Sequence, residues 1–203
     1  MTLVPRVARE GLWLVLATAF ATIVALHFFG LRASLPLWAL GLLLLVVFRD
    51  PEREIPSQPM AVVSPADGRV TFVGMTRDPC LERDSIRITL QMNPWGVFTT
   101  RSPVEGKVLQ PPSAPSGTSK PHGVWLQTDE GHDVFMVMMR GCLRIAPRCY
   151  VRIGDRTGQG QRCGFVHLGG PVDVYLPERS RVSVTVGDRV RSGADVIATL
   201  PHA

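Results

Sequence analysis

Two apolar runs, residues 12–29 and 37–48, precede a chain whose remainder alternates apolar and polar positions. The first has 18 residues and no charge. As a helix rising 1.5 Å per residue it spans roughly 27 Å, close to the thickness of a bilayer core. Between the runs stands Gly30-Leu31-Arg32-Ala33-Ser34-Leu35-Pro36, a segment suited to reversing direction. The second run is shorter than an ordinary span, which predicts a tilted or re-entrant arm. Residues 1–50 therefore read as a membrane-associated helical hairpin. A signal peptide fits less well, because a second apolar run follows where a cleavage site and a polar mature domain should begin.

Residues 51–203 form the second domain. A charged, proline-punctuated stretch, Arg49-Asp50-Pro51-Glu52-Arg53-Glu54-Ile55-Pro56, ends the apolar region. Beyond it the period is two. Strands are predicted over 69–73, 85–90 and 181–186, with turns at Gly, Pro and Asp, and no helical period follows residue 60. Two echoes refine this mainly β assignment. Ser64-Pro65-Ala66-Asp67-Gly68 recurs as Ser102-Pro103-Val104-Glu105-Gly106, and Gly154-Asp155-Arg156 recurs as Gly187-Asp188-Arg189. Such Gly-Asp turns resemble the hairpins of biotinyl/lipoyl-type barrel sandwiches. The repeats suggest a pseudo-symmetric β domain; each echo occurs only twice, which excludes a solenoid. Residues 111–121, rich in Pro, Ser and Gly, read as a flexible loop.

Charge placement sets the expected orientation. Arg6 and Arg9 precede the hairpin, Arg49 and Arg53 follow it, and only Arg32 lies between the arms. The positive-inside rule then puts the β domain on the cytoplasmic face of the cell membrane. The net charge of +5 is carried by arginine, since Lys107 and Lys120 are the only lysines. A basic domain held at a bilayer attracts anionic headgroups; no nucleic-acid motif accompanies the charge. Arg140, Arg144, Arg148, Arg152 and Arg156 recur every four residues, but Gly141, Pro147 and Gly154 oppose a continuous helix. A solvated or membrane-facing basic surface is the reading that remains. Cys80, Cys142, Cys149 and Cys163 contain no CxxC pair and have no accompanying His cluster, so reduced thiols and no metal site are expected.

The motifs, taken in order, carry a resemblance. They are the hairpin, Phe48-Arg49-Asp50-Pro51-Glu52-Arg53, Ser64-Pro65-Ala66-Asp67-Gly68, Arg101-Ser102-Pro103-Val104-Glu105-Gly106, Gly160-Gln161-Arg162-Cys163-Gly164-Phe165 and Val172-Asp173-Val174-Tyr175-Leu176-Pro177. Together they resemble the phosphatidylserine decarboxylases in their short, membrane-anchored prokaryotic form. The resemblance implies a lyase that converts phosphatidylserine to phosphatidylethanolamine. A pyruvoyl group made from an internal serine would serve as its electron sink.

Three positions matter in that family. Its aspartate is present as Asp67. Its histidine falls at Phe98, in Val97-Phe98-Thr99-Thr100-Arg101, and its pyruvoyl-forming serine falls at Gly170, after Gly169. A nucleophile needs a base within hydrogen-bond reach and a group that orients the base. Only the orienting carboxylate is left, so no pyruvoyl cofactor is expected from the degenerate Gly169-Gly170 junction. His167 is a weak candidate base, with a structural or headgroup-facing role as its simpler reading. Cys163 and Ser180 do not restore the motif.

The leading expectation is thus a decarboxylase-related membrane protein of phospholipid metabolism, impaired in catalysis or serving as a lipid-binding or regulatory homologue. Its partners would be anionic phospholipid of phosphatidylserine type and either a second copy or an active relative. One alternative is a decarboxylase working by a non-standard route. Another is a membrane-anchored lipoyl-like adaptor or carrier; Lys107 lacks the flanking methionines of a modifiable lysine.

Overall fold

The structure is a computed structural model that describes residues 9–51, 53–94, 96–109, 122–141 and 144–201. The loop expected over 111–121 lies outside the described residues, as does Cys142. The chain separates into two compact units, Met1–Glu52 and Arg53–Ala203.

The first unit is α1 (Arg9–Val47), helical on both sides of a break at Gly30, where φ is 78° and ψ −178°. Those angles suit glycine and few other residues. The two arms fold back on one another. Phe48 lies directly over Gly11, and Thr18 Oγ1 would stand 3.9 Å from a β-carbon on Gly41. The segment Gly11–Arg32 has 22 residues and a mean hydropathy of 2.1, enough to cross a membrane, whereas Ser34–Val47 is shorter. Its few hydroxyls bond within their own helix. Thr22 donates to the Thr18 carbonyl at 2.6 Å and Ser34 to the Leu31 carbonyl at 2.9 Å. Such pairing lets polar side chains tolerate apolar surroundings. Trp13, Phe20 and Phe28 point outward.

The second unit is built of strands. Among the described residues they are β1 (Ala61–Val63), β2 (Gly68–Arg77), β3 (Asp84–Met92), β4 (Thr99–Arg101), β5 (Gly106–Leu109), β6 (His122–Gln127), β7 (Asp133–Met138), β8 (Arg148–Cys149), β9 (Arg156–Thr157), β10 (Arg162–Phe165), β11 (Pro171–Pro177), β12 (Arg181–Val182), β13 (Arg189–Val190) and β14 (Val196–Thr199). Eight form one antiparallel sheet in the order β13-β2-β3-β11-β7-β6-β5-β9; β1-β14-β12 and β4-β10-β8 form two smaller ones. The strand expected over 181–186 is shorter than its pattern suggested. It ends at Val182, and Val186 is exposed ahead of the Gly187 turn.

Alternation along β11 shows how the sheet is held. Val172, Val174 and Leu176 enter the main core with Ile88, Leu90 and Met136, all essentially without solvent exposure. Asp173 and Tyr175 face the other way, where Tyr175 packs with Phe135, Val137 and Cys80. Burying each aliphatic side chain of the main core contributes roughly 1.5–3 kcal/mol.

The sequence echoes are structural repeats down to their hydrogen bonds. Ser64 Oγ donates to the Ala66 carbonyl at 2.8 Å, and Ser102 Oγ to the Val104 carbonyl at 2.7 Å. The Gly193 amide reaches the Ser64 carbonyl at 2.7 Å; its counterpart, Gly160, reaches the Ser102 carbonyl at 2.9 Å. Likewise Val70 binds the Asp188 carbonyl and Val108 the Asp155 carbonyl. One short motif has folded twice in one domain.

Candidate functional site

Strand β10 runs into the tight turn that carries residues 166–170, and β11 leaves it. The turn closes through the Gly169 amide on the Val166 carbonyl at 3.2 Å, with left-handed φ of 54° at Leu168 and 70° at Gly169. Neighbouring chain pins the exit. The Met92 amide donates to the Gly170 carbonyl at 3.2 Å and the Met139 amide to the Pro171 carbonyl at 2.9 Å. Gly170 is buried. A β-carbon there would lie 2.9 Å from the Met139 carbonyl oxygen and 3.1 Å from both Cα and N of Gly141. Those neighbours are backbone, which cannot rotate aside as a side chain can. Gly141 in turn lies directly against the carbonyls of His167 and Gly169.

Phe98 and Asp67 belong to the same cluster. The Val166 amide binds the Phe98 carbonyl at 2.9 Å, and the Asn93 amide binds the Asp67 carbonyl at 3.1 Å, one residue along from the Met92 bond to Gly170. The fold therefore gathers three positions spread over more than a hundred residues of sequence. Phe98 is buried and meets Phe165 edge-on, with centroids 6.3 Å apart and planes at 83°. Phe165 meets the half-buried His167 in the same manner at 5.1 Å and 81°. Aromatic edge-to-face contacts of this kind stabilise packing; a phenyl ring neither takes nor gives a proton.

Asp67 is fully engaged. Arg53 grips it through both guanidinium nitrogens, Nη1 to Oδ1 and Nη2 to Oδ2, the latter at 2.7 Å. The Ser192 amide adds a bond to Oδ1 at 2.6 Å. Both side chains are largely shielded, at 18% and 15% exposure. A forked, charge-assisted pair of this geometry is among the stronger polar contacts in a protein. It ties the segment after the apolar hairpin to the β13–β14 connection.

The remaining candidates stand apart from nucleophilic chemistry. Cys163 is buried, and burial pushes its thiol up to about 12, with a hydrogen bond to Thr100 opposing the shift. Such a thiol carries almost no thiolate near neutrality. Ser180 lies beyond the far end of seven-residue β11, roughly 23 Å along a strand from Gly170. Lys107 sits within β5, paired with Gln127 and Arg156, and not at a hairpin tip. Among the described residues no His, Cys, Asp or Glu side chains gather as a metal-ligand set.

Comparison with known proteins gives this arrangement a family. The phosphatidylserine decarboxylase family profile matches residues 40–198. The chain is 39% identical over 206 residues to a phosphatidylserine decarboxylase proenzyme of Nitrosomonas eutropha, covering 96% of this chain and 95% of that one. Similar matches are the proenzymes of Aromatoleum aromaticum, 38% identical with 97% of each chain covered, and Burkholderia pseudomallei, 37% identical with 98% and 97% covered. This chain belongs to the phosphatidylserine decarboxylase family.

A looser overlap joins it to the solved glucose permease IIA from Mycoplasma capricolum, at 15% identity and TM-score 0.44 over 68% of this chain and 93% of the other. That overlap carries no weight here. In this decarboxylase-family chain the sequence pointed to Asp67, Phe98, His167, Gly169 and Gly170, and the fold brings them into one region. Two members of the cluster escaped it. Arg53 stands in the linker, among the charges flanking the hairpin and in the Phe48–Arg53 motif that carries the resemblance, but none of these names Asp67 as its partner. Gly141 read as a helix breaker among arginines, although a glycine there serves close backbone approach.

Proposed function

We propose that this protein is a phospholipid-binding, membrane-anchored member of the phosphatidylserine decarboxylase family that does not form a pyruvoyl group and does not decarboxylate. Gly170 carries this reading. Self-cleavage needs a hydroxyl to attack the preceding carbonyl, and glycine has none. The surroundings agree, since Met139 and Gly141 leave a β-carbon at 170 too little room. The residues present do not fit the group. Phe98 adds nothing basic, and the Asp67 carboxylate is committed to Arg53 and the Ser192 amide. The site keeps the family's framework and has lost its proton transfers.

On this reading the β unit is a barrel sandwich of two related halves, held at the cytoplasmic face of the cell membrane by the α1 hairpin. The halves are supported by the repeated hydrogen bonds of Ser64 and Ser102, the orientation by the arginines flanking the hairpin. The ligand class is anionic phospholipid of phosphatidylserine type. A second copy or an active relative is the fitting protein partner for a regulatory role. Purified protein incubated with phosphatidylserine vesicles tests the proposal. No phosphatidylethanolamine should form, although the vesicles bind; product formation at a rate above buffer would overturn it.

A further inference from the structure

The segment between β7 and β9 presents an unusual surface. From Asp133 to Asp155 no acidic residue interrupts the chain, while Arg140, Arg144, Arg148 and Arg152 lie exposed. Elsewhere in the domain several arginines are paired, Arg53 with Asp67, Arg83 with Asp133, Arg156 with Asp129, and Arg191 with Asp195. Among the described residues, no ion pair involves any of the four. A solvated basic face would need nothing more.

This face carries more. Met139, Ile145, Tyr150 and Ile153 alternate with the arginines and are 40%, 44%, 40% and 63% exposed. The turn after β10 adds Leu168, 38% exposed and held at φ 54°. Left-handed turn positions favour Gly, Asn or Asp, and a leucine there costs conformational energy. Arg144 shares that backbone region at φ 54°. Backbone contacts make these segments neighbours. Gly141 packs on the His167 and Gly169 carbonyls, Arg148 pairs with Phe165, and the Tyr150 amide binds the Cys163 carbonyl at 2.9 Å.

We infer that this arginine-and-aliphatic surface, formed by residues 139–141, residues 144–153 and the 166–169 turn, seats on an anionic lipid bilayer. Unpaired arginines meet phosphate and carboxylate headgroups, while the interleaved apolar side chains enter the interfacial layer. Charge complementarity favours lipid over a second copy, whose identical face would repel it. The inference rests on the membrane-bound, lipid-binding reading above and adds where the lipid is met. It places headgroups beside the Gly169-Gly170 junction.

Hydrogen–deuterium exchange of the full chain in nanodiscs tests it, with phosphatidylcholine alone compared against phosphatidylcholine mixed with phosphatidylglycerol. Amides of 139–153 and 166–169 are expected to exchange several-fold more slowly in anionic discs. The double substitution Arg144→Glu/Arg148→Glu should abolish that difference, with exchange in β3 and β11 unchanged to show an intact fold. Equal exchange in both discs, with residues 11–47 protected, would overturn this inference and leave the anchor standing. Loss of protection in 11–47 as well would overturn the membrane reading itself. Protection that ignores lipid charge but fades on dilution would overturn the inference in favour of self-association.

Discussion

Gly170 and Gly141 meet backbone to backbone, so that a β-carbon on Gly170 would stand 3.1 Å from the Gly141 Cα and amide nitrogen. The contact is closed on a third side by the Met139 carbonyl. Introducing a serine is therefore more than adding a hydroxyl. Gly170→Ser is expected to leave the chain uncleaved and to cost about 1–3 kcal/mol through overpacking. Gel mobility after prolonged incubation and a thermal melt measure the two effects. Gly170→Ser/Phe98→His separates a missing base from the lack of space; intact chain in this variant too would assign the block to packing.

The Arg53–Asp67 fork gives a second prediction. Removing one partner strands the other charge in a shielded site, at a cost of about 2–3 kcal/mol. For a domain of this size that is a fall in melting midpoint of roughly 5–10 °C. Arg53→Ala and Asp67→Ala should show it about equally. Arg53→Lys should recover only part, since an ammonium cannot span both carboxylate oxygens. Full recovery by lysine would mean that charge alone mattered.

Thiol reactivity should sort by burial. Cys80 and Cys163 are buried, with thiols pushed up to about 11 and about 12 respectively, while Cys149 lies at the surface although partial burial also raises it. Maleimide labelling at neutral pH, followed by peptide mapping, should modify Cys149 well before either of the others. Labelling of Cys163 in native protein would contradict the packing of β10.

Acid should expose the turn carboxylates. Asp188 accepts the Thr185 amide at 2.7 Å and its hydroxyl at 3.0 Å, which holds its carboxyl below the ordinary aspartate value. Arg191 does the same for Asp195. A depressed carboxyl stabilises the fold above its unfolded pKa and loses that contribution as pH falls toward the folded one. The melting midpoint should therefore drop below about pH 4. Asp188→Asn and Asp195→Asn should each flatten that drop while lowering stability at neutral pH.

How much was legible beforehand varies with the kind of interaction. The hairpin and the strands of the main core follow from local periodicity, which is why residues 85–90 fell inside β3 and residues 69–73 inside β2. The Ser-Pro and Gly-Asp echoes exposed the repeated hydrogen bonds, because turn chemistry is written locally. Residues 181–186 misled for the same reason. Their alternation fits a strand, but the chain leaves the sheet for the Gly187 turn after two paired residues. The reading of Phe98 and Gly170 as replaced catalytic positions rests only on the resemblance to the family's motif. What sequence alone did not carry was contact at long range: the grip of Arg53 on Asp67, and Gly141 against Gly170. Neither leaves a periodic trace.

Intact mass spectrometry of the detergent-purified full chain tests the central claim most directly. A single species at the mass of all 203 residues is expected, with no fragment ending at Gly169. Two fragments, the smaller beginning at residue 170 with a blocked amino terminus, would contradict it and show that this chain makes an electrophile after all.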